Sequence, residues 1–290
     1  MRWRRQAWAY GFILPAVCAI GLAFGYPLTR VIRFSFQSGS VGDLTDVGLQ
    51  NYEWLWEDPV FVHALLNNLK LLISVPIMTA LALVIALILN GQVQGWRQYR
   101  AIVFLPYILP ATAIGLVFSY LLGQSGVLNS LLRSAHLGFL AMDWLGSARN
   151  VVPTIGGVII WQQLGFGVVV FAAALLAVPQ ELIEAARIDG ASNWQIQRLI
   201  LLPYIRRVIE FFIVLQAITV LSSIFAYVFV LTKGGPANAS MIIEYYIFQN
   251  GFENGAIGVA SAAVVILLLI VSVLIVIYLR LRRPNAEADR

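Results

Sequence analysis

The stretch AIGVASAAVVILLLIVSVLIVIYL, Ala256–Leu279, carries no charged residue and no alternation of polar with apolar positions. Wound as an α-helix, an apolar run of roughly 20 residues matches the hydrocarbon thickness of a bilayer. A transmembrane β-strand would alternate lipid-facing with lumen-facing residues, and this run does not. Backbone groups in lipid must be satisfied within the segment, so the run is read as a membrane-spanning helix. Five runs of the same kind precede it, at Tyr10–Phe34, Leu69–Asn90, Ala101–Leu122, Val151–Val178 and Tyr204–Leu231. The expected fold is therefore all-α, a polytopic membrane protein with six transmembrane helices. Composition agrees. The chain is 60% hydrophobic and 11% charged, with a mean hydropathy of +0.83, too few charges for a soluble globule.

Orientation follows from the arginines. Arg2, Arg4 and Arg5 precede the first run; Arg97 and Arg100 separate the second from the third. Arg187 and Arg198 lie between the fourth and fifth, with Arg206 and Arg207 at the start of the fifth, and Arg280, Arg282, Arg283 and Arg290 follow the sixth. With six spans these places share one side, expected to be cytoplasmic, with both termini inside. The opposite side carries the acidic loop of Asp43, Asp46, Glu53, Glu57 and Asp58. The net charge of +5 comes from this bias and does not point to nucleic acid. The basic start and apolar core at the N-terminus have the outline of a signal peptide. The run continues through Tyr26-Pro27-Leu28 without a clear A-x-A site, so it is read as the first span. Cys18 is expected to be a buried core thiol; one cysteine permits no internal disulfide and no thiolate cluster.

One polar segment on the cytoplasmic side stands out, ELIEAARIDGASNWQIQRLILLP at Glu181–Pro203. Pro179 suits the first turn of a helix, and Glu181 and Glu184 complement its dipole. Asp189-Gly190 ends that helix. Ser192 with Gln195 forms the S-x-x-Q capping box of a second helix, which runs into the fifth span. Local physics predicts a compact helix–turn–helix knob joined to a membrane helix, the form needed to transmit force from a docked partner.

Glu184-Ala185-Ala186, Gly190, Ile200 and Leu202-Pro203 match EAA-x3-G-x9-I-x-L-P in full spacing. This resembles the EAA motif of membrane subunits of binding-protein-dependent ABC importers. GLQNYEWLWEDPVFVHALLNN (Gly48–Asn68), FLPYILPA (Phe104–Ala111) and LTKGGPANAS (Leu231–Ser240) are similar to segments of sugar permeases of the maltose type, and the Gly-Gly-Pro segment with the short tail Pro284–Arg290 resembles its first permease more than its second. The resemblance implies that Glu184, Ala185, Ala186, Arg187, Asp189, Gly190, Ile200, Leu202 and Pro203 form the coupling interface with a cytosolic ATPase. It implies a partner set of a second permease, two ATPase subunits and an extracytoplasmic solute-binding protein, in a bacterial or archaeal plasma membrane. ATP and Mg would belong to the ATPase, with no cofactor on this chain. The domain organisation implied is a cytoplasmic segment 1–9, a permease domain 10–281 with its coupling loop at 179–203, and a cytoplasmic tail 282–290.

Catalytic motifs are missing from the sequence. No G-x-x-x-x-G-K-[ST], G-x-S-x-G or H-E-x-x-H occurs, and His63 and His136 are spaced too far apart to make a metal cluster by themselves. No mid-span acid or histidine relay suggests a proton-driven carrier. Glu210 has Arg206 at i−4 and is read as a local pair. What remains within the spans is neutral and polar. Gln216, Thr219, Ser223 and Tyr227 lie at offsets of three, seven and eleven, which on one continuous helix is one face. Such groups commonly serve helix packing. A stripe of hydroxyls and amides also suits an uncharged sugar. By position relative to the motifs, the resemblance places Tyr107, Gln162, Gln163, Phe166, Gln216, Thr219 and Ser223 near the sugar site. The expected function is translocation of a carbohydrate by alternating access. Glycerol phosphate is the alternative cargo, and a stand-alone secondary carrier the alternative class.

Overall fold

Apolar runs dominate the sequence, and helices dominate the computed structural model, which describes residues 12–40, 43–90 and 96–282. The segment 1–9, residues Tyr10 and Gly11 of the first span, and the tail from 283 on lie outside the described residues. So do the orientation-setting Arg2, Arg4, Arg5, Arg283 and Arg290.

In chain order, α1 spans Phe12–Phe34, with a wider π turn at Gly21–Gly25. A hairpin of β1 (Gln37–Ser40) and β2 (Asp43–Asp46) follows, then α2 (Gln50–Glu57), α3 (Pro59–Leu71) and α4 (Ser74–Asn90). Helices α5 (Trp96–Ile108) and α6 (Ala111–Leu121) make a bent pair, and α7 is Val127–Ser134. The long α8 is Val151–Leu176 and α9 is Gln180–Ile188. Helix α10 runs over residues 193–204, with a π segment at Gln197–Leu201. A second bent pair, α11 (Arg206–Ser222) and α12 (Phe225–Leu231), precedes α13 (Ile243–Phe248) and α14 (Ile257–Arg282). Among the described residues four helices are long and apolar enough to cross a membrane, and six spans result if each bent pair counts as one.

The six-span reading therefore stands, with four corrections. The second span is longer than expected, because α3 and α4 together run Pro59–Asn90. The third and fifth spans are bent rather than straight, by 95° between α5 and α6 and by 46° between α11 and α12. Pro110 explains the first bend, since its ring cannot donate to the preceding turn. A short antiparallel hairpin, Gln37 opposite Asp46, interrupts the all-helical expectation. Cys18 is exposed rather than buried, since none of the residues of α1 around it is buried in this chain.

The chain divides into two compact units, residues 1–62 with 246–270 and residues 63–245 with 271–290. In the first, the Asn51 amide donates to the carbonyls of Ser35 and Gln37, both at 2.9 Å, and tethers α2 to the hairpin. The Tyr52 hydroxyl donates to Ser35 Oγ at 2.7 Å. Trp54 and Trp56 stay exposed on either side of the buried Leu55, the arrangement of an interfacial helix.

In the second unit, α8 is the central column, packed against α4, α5 and α11. Its buried apolar residues include Ile155, Ile159, Val168 and Phe171. Small residues permit the approach. A Cβ at Gly165 would strike the Val103 carbonyl oxygen and lie 2.8 Å from Phe104 Cα, so α5 and α8 touch backbone to backbone.

Candidate functional site

Two arrangements have the character of working parts, the knob at 179–204 and the bends in the third and fifth spans. The knob is built by its termini. Pro179 is the residue before α9 rather than its first helical residue, with extended backbone at φ −57°, ψ 130°. At the other end Gly190 adopts φ +83°, where a side chain would be strained. The Ala191 N–H donates to the Ala186 carbonyl at 2.9 Å and the Gly190 N–H to that of Arg187 at 3.1 Å. That pair of bonds is the Schellman termination, which turns the chain sharply. The capping box forms as expected. Ser192 Oγ accepts from the Gln195 N–H, and the Ser192 N–H donates to Gln195 Oε1 at 2.7 Å.

The knob is anchored inward and apolar outward. Ile183, Ile196, Leu201 and Ile205 are buried, while Glu184, Ala185, Arg187, Asp189 and Gly190 are exposed. Ile200 and Leu202 are half-buried and Pro203 is exposed. Ile188 is 86% exposed, Trp194 67% and Leu199 66%, an apolar surface on a short, rigidly capped element. Arg206 Nε donates to Glu210 Oε1 at 2.6 Å, the local pair expected from the sequence.

The bends are held by side chains from other elements. Where α5 breaks, the Leu109 carbonyl has lost its helical partner, and Gln162 Nε2 of α8 donates to it at 2.8 Å. The other end of that amide accepts from the Tyr227 hydroxyl of α12. Where α11 breaks, the Ile224 N–H donates to Glu244 Oε1 at 3.2 Å. Asn68 Nδ2 donates to Glu244 Oε2 at 3.1 Å, and Asn68 Oδ1 accepts from the Ile243 N–H at 2.9 Å. Its neighbour Asn67 donates to the carbonyls of Ala239 and Met241 and accepts from Lys70 Nζ at 3.1 Å. Broken helices persist at membrane depth only where the freed backbone groups are satisfied in this way. Burial pushes the Glu244 carboxyl up to about 7, with the hydrogen bonds from Asn68, its own backbone and Ile224 pulling the other way.

The residues expected along a substrate path fall into separate groups. Tyr107 stacks on Phe166 with ring centroids 4.9 Å apart, and Phe166 meets Phe212 at 5.9 Å. Gln162 is buried with both ends of its amide engaged; Gln163 is half-buried. The expected single face of α11 is not continuous. The helix ends at Ser222, so Ser223 is exposed at the bend and Tyr227 belongs to α12. The Thr219 hydroxyl donates back to the Leu215 carbonyl. Gln216 is 2% exposed, and its Oε1 has no hydrogen-bond partner among the described residues. Glu244, Asn67 and Asn68 were not anticipated. An acid within MIIEYYIF and an Asn pair closing an apolar helix were the available signals. Among the described residues no three metal-binding side chains cluster.

Residues 78–284 match the family described as binding-protein-dependent transport system inner membrane component. The probable ABC transporter permease protein YurN of Bacillus subtilis is 31% identical over 87% of this chain and 88% of its own. The diacetylchitobiose uptake system permease protein NgcF of Streptomyces coelicolor is 32% identical over 87% of this chain and 73% of its own. Among solved structures, a bacterial ABC transporter that imports the acidic polysaccharide alginate has a chain of the same fold. It superposes with a TM-score of 0.84 at 23% identity, covering 97% of this chain and 96% of that one.

Proposed function

The chain belongs to the family of inner-membrane components of binding-protein-dependent transport systems, and from that premise we propose that it is one permease of an ATP-driven carbohydrate importer. The observation that carries the proposal is the knob. A capped, apolar-tipped element welded to α11 is suited to dock into an ATPase and convert its closure into movement of the spans. Glu184 would supply a charged acceptor, and Ala185 and Ala186 would let the partner surface approach closely. Under this reading the knob and both termini face the cytosol. The membrane-embedded domain 10–281 carries the coupling loop 179–203, and ATP and Mg sit on the partner.

Carbohydrate as cargo is supported by the relative named for diacetylchitobiose uptake and by the chemistry of the spans. Tyr107, Phe166 and Gln216 offer aromatic faces and a buried acceptor, with Gln163, Thr219 and Ser223 beside them in sequence. An orphaned acceptor such as Gln216 Oε1 costs about 1–3 kcal/mol, a cost a hydroxyl-bearing solute would offset. The absence of charge on these side chains favours a sugar over glycerol phosphate. The Gln162 amide is held by Leu109 and Tyr227, so its role in this reading is to shape the path.

The test is purification of the tagged chain from its native membrane in mild detergent, with mass spectrometry of what accompanies it. The expected companions are a P-loop ATPase and a second EAA-bearing permease. Repeated recovery of the chain alone, under conditions that preserve a known importer, would reject the assignment in favour of an autonomous carrier.

A further inference from the structure

The bend of the fifth span is held by an acid that forms no ion pair among the described residues. Glu244 lies on α13, outside the spans, and reaches back to a backbone N–H that the break at Ser223–Ile224 leaves without a helical acceptor. Its second oxygen is held by Asn68 of α3, whose own carbonyl is committed to the Ile243 N–H. Both partners are neutral. The charged groups on the neighbouring elements are engaged elsewhere or exposed. Lys70 of α3 donates to Asn67, His63 of α3 and Lys233 of the loop after α12 are exposed, and Tyr227 of α12 donates to Gln162. The Tyr245 ring lies against Phe225 and Phe229.

A carboxylate taken out of water without a compensating cation is costly in its charged form. Hydrogen bonds from an amide and a backbone N–H offset only part of that cost, which agrees with a carboxyl displaced towards neutrality. Linkage then fixes the sign. A conformation that releases Glu244 into water returns it to ordinary carboxylate behaviour. Ionisation therefore favours release, and protonation favours the clamped arrangement.

We propose that Glu244 is a positioning residue for the hinge of the fifth span, clamping the bend at Ser223–Ile224 while half-buried against Asn68 and freeing it when the carboxyl ionises into water. Closing the hinge takes up a proton and opening it gives one back. The hinge is the junction of α11, which starts at the knob, with α12, which packs on α6 beyond the other bend. A change of angle there repositions Tyr227 and, through Gln162, the break at Leu109. The consequence for transport rests on the permease reading; the hinge chemistry does not.

The experiment is hydrogen–deuterium exchange with mass spectrometry on the purified full chain, with whatever subunits accompany it, in lipid nanodiscs. Exchange is corrected for intrinsic rates from pH 5 to pH 8.5. Protection of peptides covering residues 222–231 and 239–245 is expected to fall about tenfold or more as pH rises through neutrality. Glu244→Gln, a permanently neutral isostere, is expected to hold the low-pH protection throughout. Asn68→Ala removes a donor to the charged form and is expected to move the step to higher pH. It also serves where Glu244→Gln assembles poorly. A flat profile in the natural chain, protection that rises with pH, or a step that persists in Glu244→Gln would overturn the proposal. Because exchange does not depend on the solute carried, such a result leaves the importer assignment standing. Failure of that assignment would show instead as the absence of ATPase and permease partners.

Discussion

The knob and the bent spans are both made of polar groups in an apolar chain, but they are stabilised over different ranges. In the knob every decisive bond closes within a few residues, from Ala191 back to Ala186 and between Ser192 and Gln195. In the bends the decisive bonds join residues far apart in the chain, Gln162 with Leu109 and Tyr227, and Asn68 with Glu244. A short-range device survives as a unit when it moves, which suits a lever. A long-range network changes when its elements shift, which suits a hinge. Substitutions in the bends should therefore unsettle the fold, and substitutions in the knob should spare it.

The largest effect is expected where α5 and α8 touch. Gly165→Leu forces a side chain into the Val103–Phe104 backbone and should cost more than about 3 kcal/mol, read as loss of monodisperse protein in detergent. Gln162→Leu should follow, at about 2–4 kcal/mol in thermal unfolding, because it leaves the Leu109 carbonyl and the Tyr227 hydroxyl unpaired. If Gln162 served the solute alone, stability would not change. A double-mutant cycle with Tyr227→Phe should be non-additive.

Glu244 gives a pH-dependent version of the same contrast. Its folded value is raised, so its contribution to stability is fully present below about 4.5 and is lost as pH rises through about 7. Relative to Glu244→Gln, the natural chain should lose on the order of 3 kcal/mol across that window. Knob substitutions should be the mildest for stability. Gly190→Val strains a positive φ with open space around it, about 1–2 kcal/mol, yet should sharply reduce solute-driven ATPase activity in the assembled transporter. Ser192→Ala should cost about 1 kcal/mol.

The same contrast in range explains what the sequence disclosed. Six apolar runs located the spans, because hydropathy is a local property, but missed the start of the second, where the more polar residues 59–68 extend the helix. The capping box and the Gly190 turn were legible for the same reason. The bend at Leu109 was half legible, since Pro110 announces a break but no local signal names Gln162 as the group that satisfies it. The bend at Ser223 has no proline, and a regular helical count over Gln216, Thr219, Ser223 and Tyr227 ran straight through it. Glu244 and Asn68 are distant in sequence, and only folding reveals that an acid outside the spans caps a break within one.

The most direct measurement is site-specific photo-crosslinking in native membranes, with a photoreactive residue at Ile188 on the knob and, as a control, at exposed Phe139 in the loop before α8. The account predicts a covalent adduct with a P-loop ATPase from position 188 and none from position 139. No ATPase adduct from position 188, or equal adducts from both positions, would contradict it.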